Sequence, residues 1–407
     1  MKLLLKLLIL FIAISLQAQT KVDSILQTGN YLNAIEWLKT QDESATKYNE
    51  LGNIYYEIGS FNKAINYYLK SEKISPSKGI KSKLAKAYKS NGNTSQAIAY
   101  YSKIIKKDSL NYVLLYKLGK LYTKTEQFKE ASLIFDKLIA VDPNNANYLY
   151  QKALLQTNLY ERANLFLEVF KLDSLHTKSM YHLANFFRTI RDKDSARLFV
   201  NKALQINPYN TKFLPLKIND LYKQKKFEQA LKHSLHLDSI SKDNVFANQR
   251  IGLCYWKLNN YDKAKEHLHL ALSYDREEKS TYYYLGLFYK DIKDYKMAKL
   301  FFKQAIYHDK PDIDNEHYNL GLIAQIEKKP KEAIKNFKEA FKNNHKNYNA
   351  LFELALMSDL YYKDKSIALK HYKNYLERFK PSNKENTTYV AKRIKEIEEV
   401  LFMKEEN

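Results

Sequence analysis

The stretch from Thr281 to Pro311, TYYYLGLFYKDIKDYKMAKLFFKQAIYHDKP, decides the fold. Read at a period of 3.6, its first part places Tyr282, Leu285, Gly286 and Tyr289 on one helical face. A break follows near Lys293 and Asp294. The second part brings Ala298, Phe302 and Ala305 to one face of another helix, which a proline stops. Such a helix-turn-helix unit cannot bury its apolar faces alone, so it calls for neighbours of its own kind.

The chain supplies them about every 34 residues. In each repeat we place Leu at position 7, a small residue at 8 and an aromatic at 11 of the first helix. The second helix carries Ala at 20, an aromatic or Leu at 24 and a small or apolar residue at 27, with Pro near 32. A partial first repeat shows Gly29, Tyr31, Ala34 and Leu38. Repeat two is complete, with Leu51, Gly52, Tyr55, Ala64, Tyr68, Ser71 and Pro76. Repeats three and four carry Leu84, Ala85, Tyr88, Ala97 and Tyr101, then Leu118, Gly119, Tyr122, Ala131, Phe135 and Pro143. Repeat five is about two residues short between its helices and keeps Ala153, Ala163, Leu167 and Phe170. Repeat six is regular (Leu183, Ala184, Phe187, Ala196, Ala203, Pro208).

Repeat seven is the weakest: its first helix contains Pro215, and its second keeps only Ala230 and Leu237. Repeat eight recovers with Ile251, Gly252, Tyr255, Ala264, Leu268 and Ala271, and repeat nine is the opening stretch. Repeats ten and eleven give Leu320, Gly321, Ala333, Phe337 and Ala340, then Leu354, Ala355, Ala368 and Tyr372. A last segment puts Val390, Ile394, Ile397 and Leu401 on one face of a helix, as a capping helix should.

Glycine and proline check the register. Eight of the nine glycines sit at position 8 (Gly52, Gly119, Gly252, Gly286, Gly321) or 15 (Gly29, Gly59, Gly92). Position 8 is where two helices cross too closely for a side chain. Position 15 ends the first helix, where a left-handed residue is favoured. Five of the seven prolines (Pro76, Pro143, Pro208, Pro311, Pro381) fall in the turn between repeats.

These residues resemble the tetratricopeptide repeat over roughly residues 23–381. The resemblance implies an all-α, right-handed superhelical solenoid of ten to eleven helix-turn-helix repeats. First helices would line a concave groove that takes extended peptides or partner helices, and second helices would form the convex outside. The domain expectation is a signal peptide over 1–19, a repeat array over 20–382 with a weak point or hinge at 211–244, and a capping helix and tail over 383–407.

Composition agrees with an all-helical chain. Nine glycines and seven prolines in 407 residues leave little material for sheet turns, and 45% apolar content excludes a wholly disordered chain. The formal charge is +22. Lysine coating the outward helix faces is one reading; attraction to an anionic partner or surface is the other. Nucleic acid is disfavoured, because the basic residues are spread without a cluster. The first residues, MKLLLKLLILFIAISLQAQT, place Lys2 and Lys6 before an apolar run from Leu7 to Leu16, with a cleavage point around Ala18 and Gln19. This is the pattern of a secretory signal peptide, too short to span a bilayer. The expected destination is the periplasm or the extracellular space, possible as an envelope-associated protein. The single cysteine, Cys254, leaves the fold to stand on packing, without an internal disulfide.

Catalytic motifs are missing: there is no GxSxG, GxxxxGK, HExxH or paired CxxC. Two SxxK matches, Ser75–Lys78 and Ser239–Lys242, fall in inter-repeat turns of a lysine-rich chain. His233 and His236, and His267 and His269, lack the carboxylate partner that a transition-metal site wants and read as solvated surface histidines. We therefore expect no enzyme, cofactor or metal.

The groove carries more. Positions 2, 5, 9 and 12 share a face beside the core face. In repeats three to six it holds Lys86 and Lys89; Tyr116 and Lys120; Tyr150; and Lys178, Tyr181, Asn185 and Arg188. In repeats eight to eleven it holds Leu253 and Trp256; Tyr283 and Leu287; Tyr318 and Leu322; and Phe352 and Leu356. One reading is structural, with Leu at 9 packing on the adjacent repeat. The other is a partner-binding groove with a basic end and an apolar end. Some family members grip a C-terminal carboxylate with Lys at 5 and Asn at 9; here Asn53 and Asn185 stand at 9, but Asn49 and Tyr181 stand at 5, so that clamp is not supported. The function expected is a non-enzymatic scaffold of the bacterial cell envelope that takes a peptide or helix in the groove. The alternative is a binder of anionic glycan or lipid head groups through the basic half.

Overall fold

The computed structural model describes residues 29–308, 313–379 and 384–405. Segment 1–19, Pro311 and Pro381, on which sequence expectations rest, lie outside them. Among the described residues there are 22 helices and no strand. In order they are α1 (Tyr31–Thr40), α2 (Ala45–Glu57), α3 (Phe61–Ile74), α4 (Lys78–Ser90), α5 (Thr94–Ile105), α6 (Tyr112–Lys124), α7 (Phe128–Val141), α8 (Ala146–Leu155), α9 (Leu159–Leu172), α10 (Thr177–Thr189) and α11 (Lys193–Ile206). They continue as α12 (Leu214–Lys223), α13 (Phe227–Ile240), α14 (Val245–Lys257), α15 (Tyr261–Tyr274), α16 (Lys279–Asp291), α17 (Tyr295–His308), α18 (Asp314–Ile326), α19 (Pro330–Asn343), α20 (Tyr348–Tyr361), α21 (Lys365–Phe379) and α22 (Lys384–Glu405). Even-numbered helices up to α20 are first helices of repeats two to eleven, and odd-numbered ones are their partners.

Local chemistry sets the boundaries. Ser44, Ser77, Asn111, Asn145, Asn244 and Asn347 each precede a first helix and accept a hydrogen bond from the backbone N–H three residues on. Position 15 is left-handed in nine of the repeats, at φ values of 71°, 76° and 81° for Gly29, Gly59 and Gly92, whereas Tyr362 of repeat eleven is extended at φ −84°. Glu126, Arg191, Lys225, Asn259, Lys293 and Lys328 take the same conformation at that position, with φ between 56° and 64°. The turn geometry therefore holds even where glycine is missing.

Position 8 is the crossing point. A Cβ built on Gly286 would lie 2.7 Å from the Phe302 ring, and one on Gly52 would lie 2.4 Å from Tyr68. Gly321 meets Phe337 in the same way, at 2.5 Å. Each pairs position 8 with position 24 of its own repeat, so the register read from the sequence is the one that packs.

The chain forms two compact units that divide inside α11, residues up to Phe199 and from Val200 onward. In the first, a continuous core runs from Ala34 and Leu38 through Leu51, Tyr68, Leu84 and Tyr101 to Leu118 and Leu121. A smaller cluster around Leu115, Phe135 and Leu138 follows. In the second, clusters form around Leu214 and Ile218, around Leu285, Phe288 and Phe302, and around Leu351, Tyr372 and Tyr375. Burying each such side chain stabilises by about 1.5–3 kcal/mol.

Two repeats depart from expectation. In repeat five, α8 is a ten-residue first helix that ends at Leu155, and α12 of repeat seven is equally short. The second helix is consequently rotated: Phe166 and Val169 are buried beside Ala163, whereas Leu167 and Phe170 are only half-buried. Early termination of α8 also leaves a recess beside α7, lined by Phe128, Leu133, Lys152 and Leu155. In repeat seven, Pro215 sits in the first turn of α12, where its missing N–H has no helical partner to lose. Ile218, Leu221, Ala230 and Leu237 are buried around it.

Candidate functional site

Four consecutive first helices of the first compact unit share an unusual composition. Helix α4 carries Lys78, Lys81, Lys83, Lys86 and Lys89; α6 carries Lys117, Lys120 and Lys124; α8 carries Lys152; α10 carries Lys178 and Arg188. None of the four contains Asp or Glu. Acidic residues of this unit stand on α2, on second helices and in turns, where Asp108 pairs with Lys78 and Asp136 with Lys152 at 2.7 Å.

Lys86, Lys89, Lys120, Lys178 and Arg188 are exposed, while Tyr116, Tyr150, Tyr181 and Asn185 are half-buried between them. Aromatic rings support the cations: Lys86 Nζ lies 5.3 Å from the Tyr56 ring centre and Lys120 Nζ 5.3 Å from that of Tyr116. Tyr56, at position 12 of repeat two, is a member of this face that the sequence reading passed over. Lys83 reaches back to Asn49 Oδ1 at 2.8 Å, and burial pushes its ammonium below the usual lysine range. Arg188 Nη1 donates to Asn185 Oδ1 at 3.1 Å, and Asn185 Nδ2 donates to the Tyr181 carbonyl at 3.0 Å. Tyr150 meets His182 at 3.4 Å between its hydroxyl and Nε2. The result is a row of cations, two of them standing on phenol rings, with no carboxylate on the same four helices.

The apolar stripe of the second compact unit is unevenly buried. Leu253 is 3% exposed. Trp256, Tyr283 and Leu287 are half-buried against the Leu285–Phe288–Phe302 cluster. Tyr318, Leu322, Phe352 and Leu356 are half-buried against the cluster that contains Leu351 and Leu354. Trp256 Nε1 donates to Asp291 Oδ2 of the next first helix at 2.8 Å. First helices touch first helices here, as α14 does α16. Burial of Leu253 supports the packing reading at that position, while Leu287, Leu322 and Leu356 are half-buried. Position 13 reaches further into solvent, where Ile326 is 54% and Leu360 78% exposed.

Buried acids also escaped the sequence reading. Glu316 is buried, with Lys279 Nζ at 3.6 Å and no hydrogen bond to Oε2 among the described residues; burial pushes its carboxyl up. Asp359, at position 12 of repeat eleven, is buried and bound by Arg393 through Nε at 2.6 Å and Nη2 at 3.1 Å. Burial pushes the Asp359 carboxyl up, but Arg393 and Lys365 outweigh it and hold it below the usual range.

The histidines are not freely solvated. His267 Nδ1 lies 2.8 Å from Asn248 Oδ1 and His269 Nε2 2.9 Å from the Tyr289 hydroxyl; burial pulls both imidazoles, and that of His233, below the usual range. Cys254 is buried as expected, and burial pushes its thiol up to about 12. Among the described residues no three His, Cys, Asp or Glu side chains gather as metal ligands, and no helix is long and apolar enough to cross a membrane.

Paired helices stacked in series, crossing on a small residue at position 8 and turning on a left-handed residue at 15, define a helical-repeat protein. Family profiles described as tetratricopeptide repeat match residues 88–156, and again 48–78, 177–210, 247–278 and 280–310. The chain belongs to the tetratricopeptide-repeat family. It is similar to the TPR repeat-containing protein MJ1428 of Methanocaldococcus jannaschii, 23% identical over 359 residues, covering 77% of this chain and 61% of that one. It is also similar to anaphase-promoting complex subunit 3 of Schizosaccharomyces pombe, 22% identical over 260 residues, covering 55% and 39%. The chain thus spans 61% and 39% of the lengths of these relatives. Among solved structures, yeast Tom70 aligns at a TM-score of 0.47 with 14% identity over 95% of this chain and 96% of that one. PilF of Pseudomonas aeruginosa aligns at 0.43 with 15% identity over 53% and 97%. Proteins of the family generally serve as scaffolds for protein–protein interaction.

Proposed function

We propose that the protein is a non-enzymatic scaffold whose first compact unit captures an acidic, extended polypeptide segment along α4, α6, α8 and α10. The observation that carries this is the absence of Asp and Glu from all four helices, beside eleven Lys and Arg residues. A row of cations with no carboxylate on the same helices attracts carboxylates at long range, and the half-buried tyrosines offer flat apolar surface between them. The apolar stripe around Leu287 is assigned to packing and has no part in capture.

The test uses the full chain and a fluorescein-labelled poly-glutamate peptide. Binding should weaken steeply with added salt. The Lys86→Glu, Lys120→Glu double variant should lose at least about tenfold in affinity with an unchanged circular-dichroism melt. Binding indifferent to salt and to that variant sinks the proposal. Vesicles containing phosphatidylglycerol and a sulfated oligosaccharide are run beside the peptide. Tighter, equally variant-sensitive binding to either would replace the peptide with an anionic head group or glycan.

We also propose that the scaffold works outside the cytoplasm, in the cell envelope. The support is Lys2 and Lys6 ahead of the apolar run to Leu16. N-terminal sequencing of the protein from its native cell tests this, and an intact Met1 in a cytoplasmic fraction overturns it.

A further inference from the structure

Helix α22 was expected to be a cap, with a polar outer side. Its residues follow a different rule. Numbered from Lys384, where the helix starts, Val390 falls at position 7, Ala391 at 8 and Ile394 at 11: the apolar, small, apolar order of a first helix, with Val for Leu and Ile for the aromatic. Val390 and Ile397 are buried where α22 packs on α21. In each of repeats two to eleven the residue at position 8 is buried under a second helix, from Gly52 to Ala355. Ala391 alone among these position-8 residues is exposed. Nothing in the described chain crosses it.

The uncovered face has its own pattern. Ala391, Lys395, Glu398 and Phe402 recur at spacings of four, three and four, which is one seam of a coiled coil. All four are exposed, Phe402 by 61%. Glu398 also reaches Lys373 of α21 at 2.7 Å, which holds its carboxylate on this side. Turned end for end about a point between Glu396 and Ile397, the seam matches itself. Ala391 then meets the partner's Phe402, a large ring over a small residue, and Lys395 meets the partner's Glu398. A parallel pairing would instead set like against like: lysine on lysine and glutamate on glutamate.

We propose that this face binds a second copy of the chain, the two α22 helices packing antiparallel so that each fills the second-helix place beside the other. Charge complementarity selects this occupant, because one sequence supplies both the cation and the anion at symmetry-related places. Ala391 lets the helices approach closely, and Phe402 supplies the apolar contact at each end.

Light scattering after gel filtration and sedimentation velocity on the full chain should report a dimer. Phe402→Asp should raise the dimer dissociation constant by about tenfold or more, with an unchanged circular-dichroism melt because the side chain is exposed. The decisive arm is a charge exchange. Lys395→Glu alone and Glu398→Lys alone should each be monomeric, an equimolar mixture of the two should form a heterodimer, and the double variant should dimerise again. A wild-type chain that sediments as a monomer at every concentration where it stays soluble overturns the proposal. So does a dimer that is indifferent to Phe402→Asp, or a mixture of the two single variants that stays monomeric.

Discussion

At the scale of single residues, the repeat rests on two steric facts that do not depend on partners far along the chain. Position 8 must be small because a Cβ at Gly286 would intrude on Phe302. Position 15 is left-handed in nine of the repeats, and there six non-glycine residues carry a cost that Gly59 and Gly92 avoid. An L-residue in this region is penalised by about 1–2 kcal/mol, offset in part by the roughly 0.5–1 kcal/mol of entropy that glycine loses on folding. Lys293, φ 64° and exposed, should therefore gain about 0.5–1 kcal/mol of stability on Lys293→Gly. Urea denaturation checks the sign, and a variant less stable than wild type would show that the Lys293 side chain contributes more than its backbone costs. The glycines were legible in the sequence because they are the cheap solution to each constraint. Glu126, Arg191 and Lys328 were not, because a left-handed lysine or glutamate leaves no mark in composition. For Leu253 and Leu287 the sequence left packing and binding both open, because a period of 3.6 gives the direction of a side chain and not what stands opposite it.

At the scale of elements, α22 is held by a contact that sequence could not disclose. Asp359 and Arg393 lie on different helices and meet through two hydrogen bonds, with Lys365 3.1 Å from the same carboxylate. Because the folded-state pKa of Asp359 is depressed, its contribution is fully present above the unfolded value of about 3.9. It is lost as pH falls through the lower folded value. Acidification below about pH 4 should free α22 before the repeats next to it melt. Asp359→Asn should bring the same loss to neutral pH, at about 2–3 kcal/mol, less than a fully enclosed pair because Arg393 is one-third exposed. Amide exchange across 384–405 as a function of pH reads both effects; exchange there that is flat from pH 7 to pH 3 would show that the ion pair does not hold the helix. Repeat five gives the same lesson. Its missing residues were visible, but that they shorten α8, and that Phe166 and Val169 are buried in place of Leu167 and Phe170, follows from packing against α8 and α10.

At the scale of the whole molecule, the contacts within each compact unit run along the chain: second helices such as α3, α5, α15 and α17 meet the first helix of their own repeat and that of the next. Stability in such an array is a sum of repeat terms and nearest-neighbour terms. The all-helical repeat organisation was legible because every period restates it. The distribution of charge between first and second helices was present in the same letters, yet it acquired meaning only once α4, α6, α8 and α10 were known to present one acid-free set of surfaces. Nearest-neighbour coupling makes a prediction that a compact single-core protein would fail. Gly286→Leu forces a side chain into the Phe302 ring, which must shift, and α16 and α17 should lose amide protection together. Loss should spread to α15 and α18, which pack directly on that pair, and fade beyond them. Helices α2 to α5, with a separate core around Leu51, Tyr68 and Leu84, should exchange as in wild type. Hydrogen-exchange mass spectrometry on the full chain decides it: protection lost equally in α2–α5 and α16–α17 would mean that the array unfolds as one cooperative body, and the nearest-neighbour account would have to be abandoned.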